Sequence, residues 1–237
     1  MERGHVARVV VADDEPVVRW SLRTGVESSG EFHVVAEAAD GEEALEAVRA
    51  HLPDVLLLDT RMPRLNGVRT TAALHAEAAA EAGEGDVGAG AVAGPVGIIV
   101  MTALGLDAEV EQALVLGADG FLRKDASREE LLAALRAVRD GDAVLPAEVL
   151  QRVLGAVPAP GAAARRQARD RLAELPPREA GLLALVARGL TNREIGERLG
   201  LDEETVAGRV GLLLAELGAA NRLQLALLAH AAGPEGG

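Results

Sequence analysis

The sequence predicts a five-stranded, doubly wound parallel α/β domain followed by a small all-α domain of four helices. Three observations carry this. Four short apolar runs end at Asp13-Asp14, Asp59, Thr102 and Lys124, and none shows polar alternation, as strands buried on both faces require. Amphipathic segments lie between such runs, two of them opened by the capping signatures Asp40-Gly-Glu-Glu43 and Ser127-Arg-Glu-Glu130, so strand and helix alternate. Beyond a Pro-, Gly- and Ala-rich stretch that starts at Val157, only helical periodicity remains.

Taken in order, residues 5–12 read as the first strand and 15–28 as a helix with Val17, Val18, Leu22 and Val26 inward. A short strand at 32–37 leads to a helix at 41–51, capped by Asp40. The run Val55 to Leu58 ends at Asp59, and a helix is expected at 66–80. Residues 81–95 are rich in Gly and Ala without periodicity and read as a loop. A strand at 96–101, a helix at 107–117 and a strand at 119–123 follow, and a helix with Leu131, Leu132, Leu135 and Val138 inward closes the fifth βα unit. Residues 146–154 look helical and 157–166 read as a linker. Helices at 177–188, 191–199, 202–217 and 221–231 are joined at Gly189, Gly200 and Gly218, with Gly200 at the tight turn of a helix-turn-helix.

Hydrophobic residues make up 49% of the chain but aromatics only 1%, so the cores rest on Leu, Val, Ile and Ala. The lack of cysteine excludes disulfide scaffolds, cysteine-based zinc sites and thiol catalysis. No stretch approaches the roughly 20 apolar residues of a membrane helix. The charged amino terminus runs directly into the first strand without a signal peptide, so a cytoplasmic protein with no membrane partner is expected. A net charge of −13 argues against non-specific binding of the whole chain to nucleic acid or anionic membrane, though not against a local basic face.

The strand ends carry the chemistry. Met62, Pro63 and Gly67 break the strand after Asp59, which places that acid at the carboxyl edge of a parallel sheet, where ligands bind. Asp13, Asp14 and Asp59 would repel one another there, and a hard divalent cation is their natural neutraliser. Oxygen-only ligation points to Mg2+ rather than zinc. Thr102 and Lys124 add the hydroxyl and the cation that a phosphate needs, and a carboxylate can itself be the nucleophile, giving an aspartyl phosphate.

On these residues, with Leu58-Asp59-x-x-Met62-Pro63-x-x-x-Gly67, Thr102-Ala103 and Gly120-Phe-Leu-Arg-Lys124, segment 5–140 resembles the receiver domain of two-component response regulators. The resemblance implies that Asp59 accepts a phosphoryl group from a cognate histidine kinase. It implies that Asp14 and Asp59, with Asp13 through water and the backbone carbonyl of Arg61, hold Mg2+, and that Thr102 and Lys124 bind the phosphoryl oxygens. Phe121 falls at the family's aromatic switch position, here without a phenol hydroxyl; plain core packing is its other reading. A haloacid-type phosphatase would want a second Asp two residues after the first, where this chain has Arg61. No turnover of an external substrate is expected, and the resemblance implies a homodimer on phosphorylation.

Residues 172–231 resemble the LuxR/FixJ-type helix-turn-helix output domain, through Leu175-Pro-Pro-Arg-Glu179, Gly189-Leu-Thr-Asn-Arg-Glu-Ile195, Glu204-Thr-Val206 and Asn221-Arg222. Residues 141–171 would then be a connecting helix and linker. The resemblance implies a recognition helix from Thr205 to about Leu217 and promoter DNA as partner, with Arg193, Thr205, Arg209 and Arg222 as candidate contacts. The chain departs from the pattern at Ala207 and Glu216, where the family usually has Lys, and at Pro176, where it has a capping Thr. From residue 170 to 237 seven arginines face ten acids. Since phosphate neutralisation dominates DNA affinity, an output domain that binds a protein partner rather than DNA is the alternative.

Overall fold

The computed structural model describes residues 6–84, 96–103, 107–145, 147–156 and 161–232. The chain divides into two compact units, Met1–Arg139 and Asp140–Gly237.

In the first unit β1 (Ala7–Ala12), β2 (Phe32–Ala38), β3 (Val55–Asp59), β4 (Gly97–Thr102) and β5 (Gly120–Arg123) form one sheet in the order β2-β1-β3-β4-β5. All four pairings are parallel. Every residue of β3 is buried, as its unbroken apolar run requires. The connecting helices are α1 (Pro16–Glu27), α2 (Gly41–His51), α3 (Gly67–Glu84), α4 (Ala108–Leu116) and α5 (Arg128–Arg139). Helices α1 and α5 pack together, while α2, α3 and α4 form a second neighbouring set, so the sheet is covered on both faces. The chain runs outward from β1 to β2, then crosses back to β3. The carboxyl ends of β1 and β3 therefore flank the point where the strand order reverses, the position at which open α/β sheets bind ligands.

The capping signatures act as expected. The Asp40 carboxylate accepts the N–H groups of Glu42 and Glu43, at 2.7 and 3.0 Å. Ser127 and Glu130 bond reciprocally at the start of α5. Two details differ from expectation. Val17 is 76% exposed, because the inner stripe of α1 runs through Leu22 and Val26 and Val17 lies well off that phase. Helix α3 continues to Glu84, a turn beyond the expected end, as its Ala-rich sequence favours. The remainder of the expected 81–95 loop lies outside the described residues.

The second unit is helical: α6 (Ala147–Ala156), α7 (Ala162–Ala173), α8 (Pro177–Ala187), α9 (Asn192–Leu199), α10 (Glu203–Leu217) and α11 (Arg222–Ala232). Helix α7 is a correction to the linker reading of 157–166. Its Ala- and Arg-rich sequence is strongly helix-forming, and it packs on α11. A core of Leu182, Leu183, Val186, Ile195, Val206, Val210 and Leu213 joins α8, α9 and α10. Thr191 and Glu194 form a complete capping box, whereas Pro176 gives α8 no side-chain cap. The α9–α10 turn is tight: Gly200 has φ 69°, and a Cβ on Gly196 would lie 2.5 Å from the Leu201 carbonyl oxygen. No single described helix is long and apolar enough to cross a membrane.

Candidate functional sites: a strand-end acidic cluster and a helix-turn-helix face

Asp13 follows β1, and Asp59 ends β3, so the two strands that flank the switch point deliver one carboxylate each. Asp14 adds a third, and one ligand oxygen from each of the three lies within 4.8 Å of the others. Asp13 and Asp59 are buried and Asp14 is exposed. Lys124, just past β5, reaches between them. Its ammonium stands 2.7 Å from Asp13 Oδ2 and 2.9 Å from Asp59 Oδ2. The backbone is tied down as well: Glu15 N–H donates to Asp13 Oδ1 at 3.0 Å, and Arg61 N–H donates to Asp59 Oδ1 at 3.2 Å.

Electrostatics and burial oppose one another here. Burial pushes the Asp59 carboxyl above its ordinary range, against the Lys124 ammonium and the Arg61 N–H, which favour the carboxylate. Burial alone would lower Lys124, but its bonds to Asp13 and Asp59 outweigh that and raise it. The result is a lysine held charged between two buried acids. Three clustered oxygen donors without a nitrogen or sulfur ligand suit a hard divalent cation.

Thr102 is buried at the end of β4. Met101 pairs with Asp59, so Thr102 lies one residue further along the neighbouring strand, and its carbonyl accepts the Lys124 N–H at 2.8 Å. Phe121 is half-buried on β5, in register with Val100. Gly67 is required by close approach: a Cβ there would lie 2.4 Å from the Asp59 carbonyl oxygen. Sequence reasoning used Arg61 only for its carbonyl and missed its side chain. The guanidinium bonds Glu109 at 2.8 Å and Asp107 at 3.0 Å, tying the β3–α3 loop to the start of α4. No local pattern announces a contact across that distance in sequence.

In the second unit the candidate DNA residues do not share one fate. Arg193 is exposed on α9. Thr205 is exposed, but its hydroxyl and N–H both donate to the Asp202 carboxylate, at 2.8 and 2.7 Å, where they cap α10. Arg209 is partly covered and lies 3.9 Å from Glu179. Arg222 is a correction: it is 7% exposed and turned inward. Its guanidinium meets Asp142 Oδ1 at 3.1 Å, Asn192 Oδ1 at 2.5 Å and the Leu190 carbonyl at 2.6 Å. Asp142 also accepts the Asn192 N–H at 2.9 Å, so it braces the starts of both α9 and α11. Sequence analysis had not singled out Asp142.

Comparison with known proteins identifies both units. The family pattern "Response regulator receiver domain" matches residues 9–136, and "Bacterial regulatory proteins, luxR family" matches residues 173–229. The chain is 32% identical over 231 residues to the nitrate/nitrite response regulator protein NarL of Escherichia coli (strain K12), covering 97% of this chain and 98% of that one. The chain belongs to the NarL-type response regulators. Another relative is the transcriptional regulatory protein LiaR of Bacillus subtilis (strain 168), 30% identical over 94% of this chain and 96% of LiaR. Among solved structures, a LuxR-family two-component response regulator from Aurantimonas sp. SI85-9A1 aligns with a TM-score of 0.52 at 27% identity, over 63% of this chain and 96% of that one. Salmonella typhimurium RcsB shares the fold at a TM-score of 0.50 and 24% identity, over 94% and 97% of the two chains. This response regulator thus joins a receiver domain to a LuxR-type helix-turn-helix DNA-binding domain, in a family of transcriptional regulators rather than turnover enzymes.

Proposed function

We propose that this response regulator accepts a phosphoryl group on Asp59 from a histidine kinase and transmits that event to promoter binding by its helix-turn-helix. The observation that carries the reading is the buried Asp59 carboxylate at the switch point, with the Lys124 ammonium 2.9 Å away and Asp13 and Asp14 beside it. An Asp59 carboxylate oxygen attacks the phosphorus of a phosphohistidine. The P–O bond forms as the P–N bond breaks, and the departing imidazole keeps the bonding pair and takes up a proton. Lys124 meets the charge on the phosphoryl oxygens, and the Thr102 hydroxyl donates to another of them. Mg2+, held by Asp13, Asp14, Asp59 and the Arg61 carbonyl, would supply the remaining charge neutralisation.

After transfer the Lys124 ammonium faces a phosphoryl group instead of a bare carboxylate. That change, sensed at Thr102 and Phe121 on β4 and β5, biases a two-state receiver surface toward a homodimer that presents paired helix-turn-helix units to DNA half-sites. Arg193 and Arg209 are the proposed cationic contacts, and Thr205 positions the start of α10. A second reading, a protein partner for the output domain, draws on the acidic amino end of α10 and the inward turn of Arg222.

The test is labelling with acetyl phosphate and Mg2+, followed by mobility shift on promoter fragments. The natural chain should acquire one acid-labile phosphate and bind DNA more tightly. Asp59→Asn should acquire none while melting as a folded protein. Labelling of Asp59→Asn at the natural rate would sink the phosphoacceptor assignment, and labelling without any DNA shift would favour the protein partner.

A further inference from the structure

Helix α10 presents an unusual chemistry on its outer face. Val206, Val210, Leu213 and Leu217 turn into the core, so the opposite side is marked by Glu204, Gly208 and Leu212 at four-residue steps. Glu204 is exposed, and Leu212 is 71% exposed, a large aliphatic side chain in water that the packing of this unit does not use. A Cβ at Gly208 or at Gly211 would meet no described atom within 4 Å. Packing therefore demands neither glycine, although each weakens the helix relative to alanine. Their effect is to lower the helix surface beside Leu212, which lets another surface approach the backbone closely.

The polar neighbours are committed elsewhere. Thr205 spends its hydroxyl on Asp202, and Arg209 leans toward Glu179. Over its first ten residues this face offers a base edge one acceptor, Glu204, and one apolar group, Leu212, with the exposed Glu216 a turn further on toward the carboxyl end. We propose that Glu204 and Leu212 are the sequence-reading residues of α10, Glu204 accepting a hydrogen bond from a cytosine exocyclic amine and Leu212 packing on a thymine methyl. Carboxylates accept from cytosine N4, and apolar side chains contact the thymine methyl, in the major groove. Eight residues separate the two, about 12 Å of helix. With about 3.4 Å per base pair, a helix lying along the groove sets the two bases three to four pairs apart.

The inference rests on the DNA-binding reading above. It divides the work: Glu204 and Leu212 of α10 discriminate between sequences, while Arg209 and the exposed Arg178, Arg193 and Arg198 of α8 and α9 meet phosphates. It also gives the acidic amino end of α10 a role that phosphate binding cannot.

The test uses the full-length chain with acetyl phosphate and Mg2+. Duplexes are selected from a random library, and binding to the selected site is followed by fluorescence anisotropy. The half-site should contain a cytosine and a thymine three to four pairs apart. Exchanging that thymine for deoxyuridine removes only the methyl, and should weaken binding by the natural chain about fourfold. The same exchange should have no effect on Leu212→Ala. Glu204→Gln should shift the preference at the other position from cytosine to adenine. The deoxyuridine series on the natural chain needs no variant. Equal affinity for thymine and deoxyuridine at every position, or cytosine retained by Glu204→Gln, overturns the inference while leaving DNA binding standing. Enrichment of no duplex above the random pool overturns the DNA-binding reading itself.

Discussion

Single residues decide most of the chemistry in both units, and buried charge makes their effects large. Arg222 is the clearest case. Replacing it with methionine leaves the Asp142 carboxylate, already pushed upward by burial, without its counter-charge. Arg222→Met should lose about 3–5 kcal/mol of unfolding free energy in a urea titration. Adding Asp142→Asn to the same chain should restore part of that loss. Asp119 offers a pH test in the other unit. Its carboxyl accepts the Ile98 N–H at 2.8 Å, and burial pushes it up to about 7. In an unfolded chain it titrates near ~4. The folded state thus holds the proton more tightly, so this group's contribution is full below about pH 4 and is lost as the pH rises to about 7. The stability of Asp119→Asn relative to the natural chain should therefore increase from about pH 5 to about pH 8; a constant difference in urea midpoints would refute it. Legibility at this scale followed locality. Asp13, Asp59, Thr102 and Lys124 each stand at the end of an apolar run, so one periodicity argument brought them to one edge. The side chain of Arg61 and the carboxylate of Asp142 act through partners remote in sequence, and no window along the chain contains both members.

At the scale of elements, strands and caps were read well, and helix ends were not. Buried parallel strands announce themselves because nothing polar is tolerated along them. Helix α3 ran past its expected end, and α7 was read as linker, because Gly and Pro nearby outweighed the helix propensity of Ala and Arg in the reading. Val17 was misplaced for a related reason: valine at a helix start is apolar whichever way it points, and only the phase set by Leu22 and Val26 fixes its direction. Helix α10 yields a prediction of its own. A methyl added at Gly208 projects into open space. Gly208→Ala should raise the unfolding free energy by about 0.5–1 kcal/mol, read from the urea midpoint. A destabilised variant would mean that the glycine serves the fold.

For the whole molecule, the two units carry separate cores and separate buried ion pairs. Equilibrium unfolding of the intact chain should therefore resolve two transitions. Mg2+ binds only the folded acidic cluster in this reading, so it should raise the receiver transition with concentration and leave the other in place. Arg222→Met should do the reverse, and a single transition moved by both perturbations would contradict the prediction. Most of the net charge of −13 sits in the first unit, so the whole-chain figure hid the local cations that the second unit retains. Those of α7 have a bearing on how the protein can be cut and rejoined. Arg171 donates to the Leu217 carbonyl at the end of α10, and Arg169 to the Ala232 carbonyl at the end of α11, at 2.7 and 2.6 Å. Each places a cation where the helix dipole is negative. The family match begins at residue 173, just after both. A chimera spliced at that boundary imports a helix-turn-helix with two bare carboxyl ends, whereas one spliced ahead of Ala162 carries its own shielding with it.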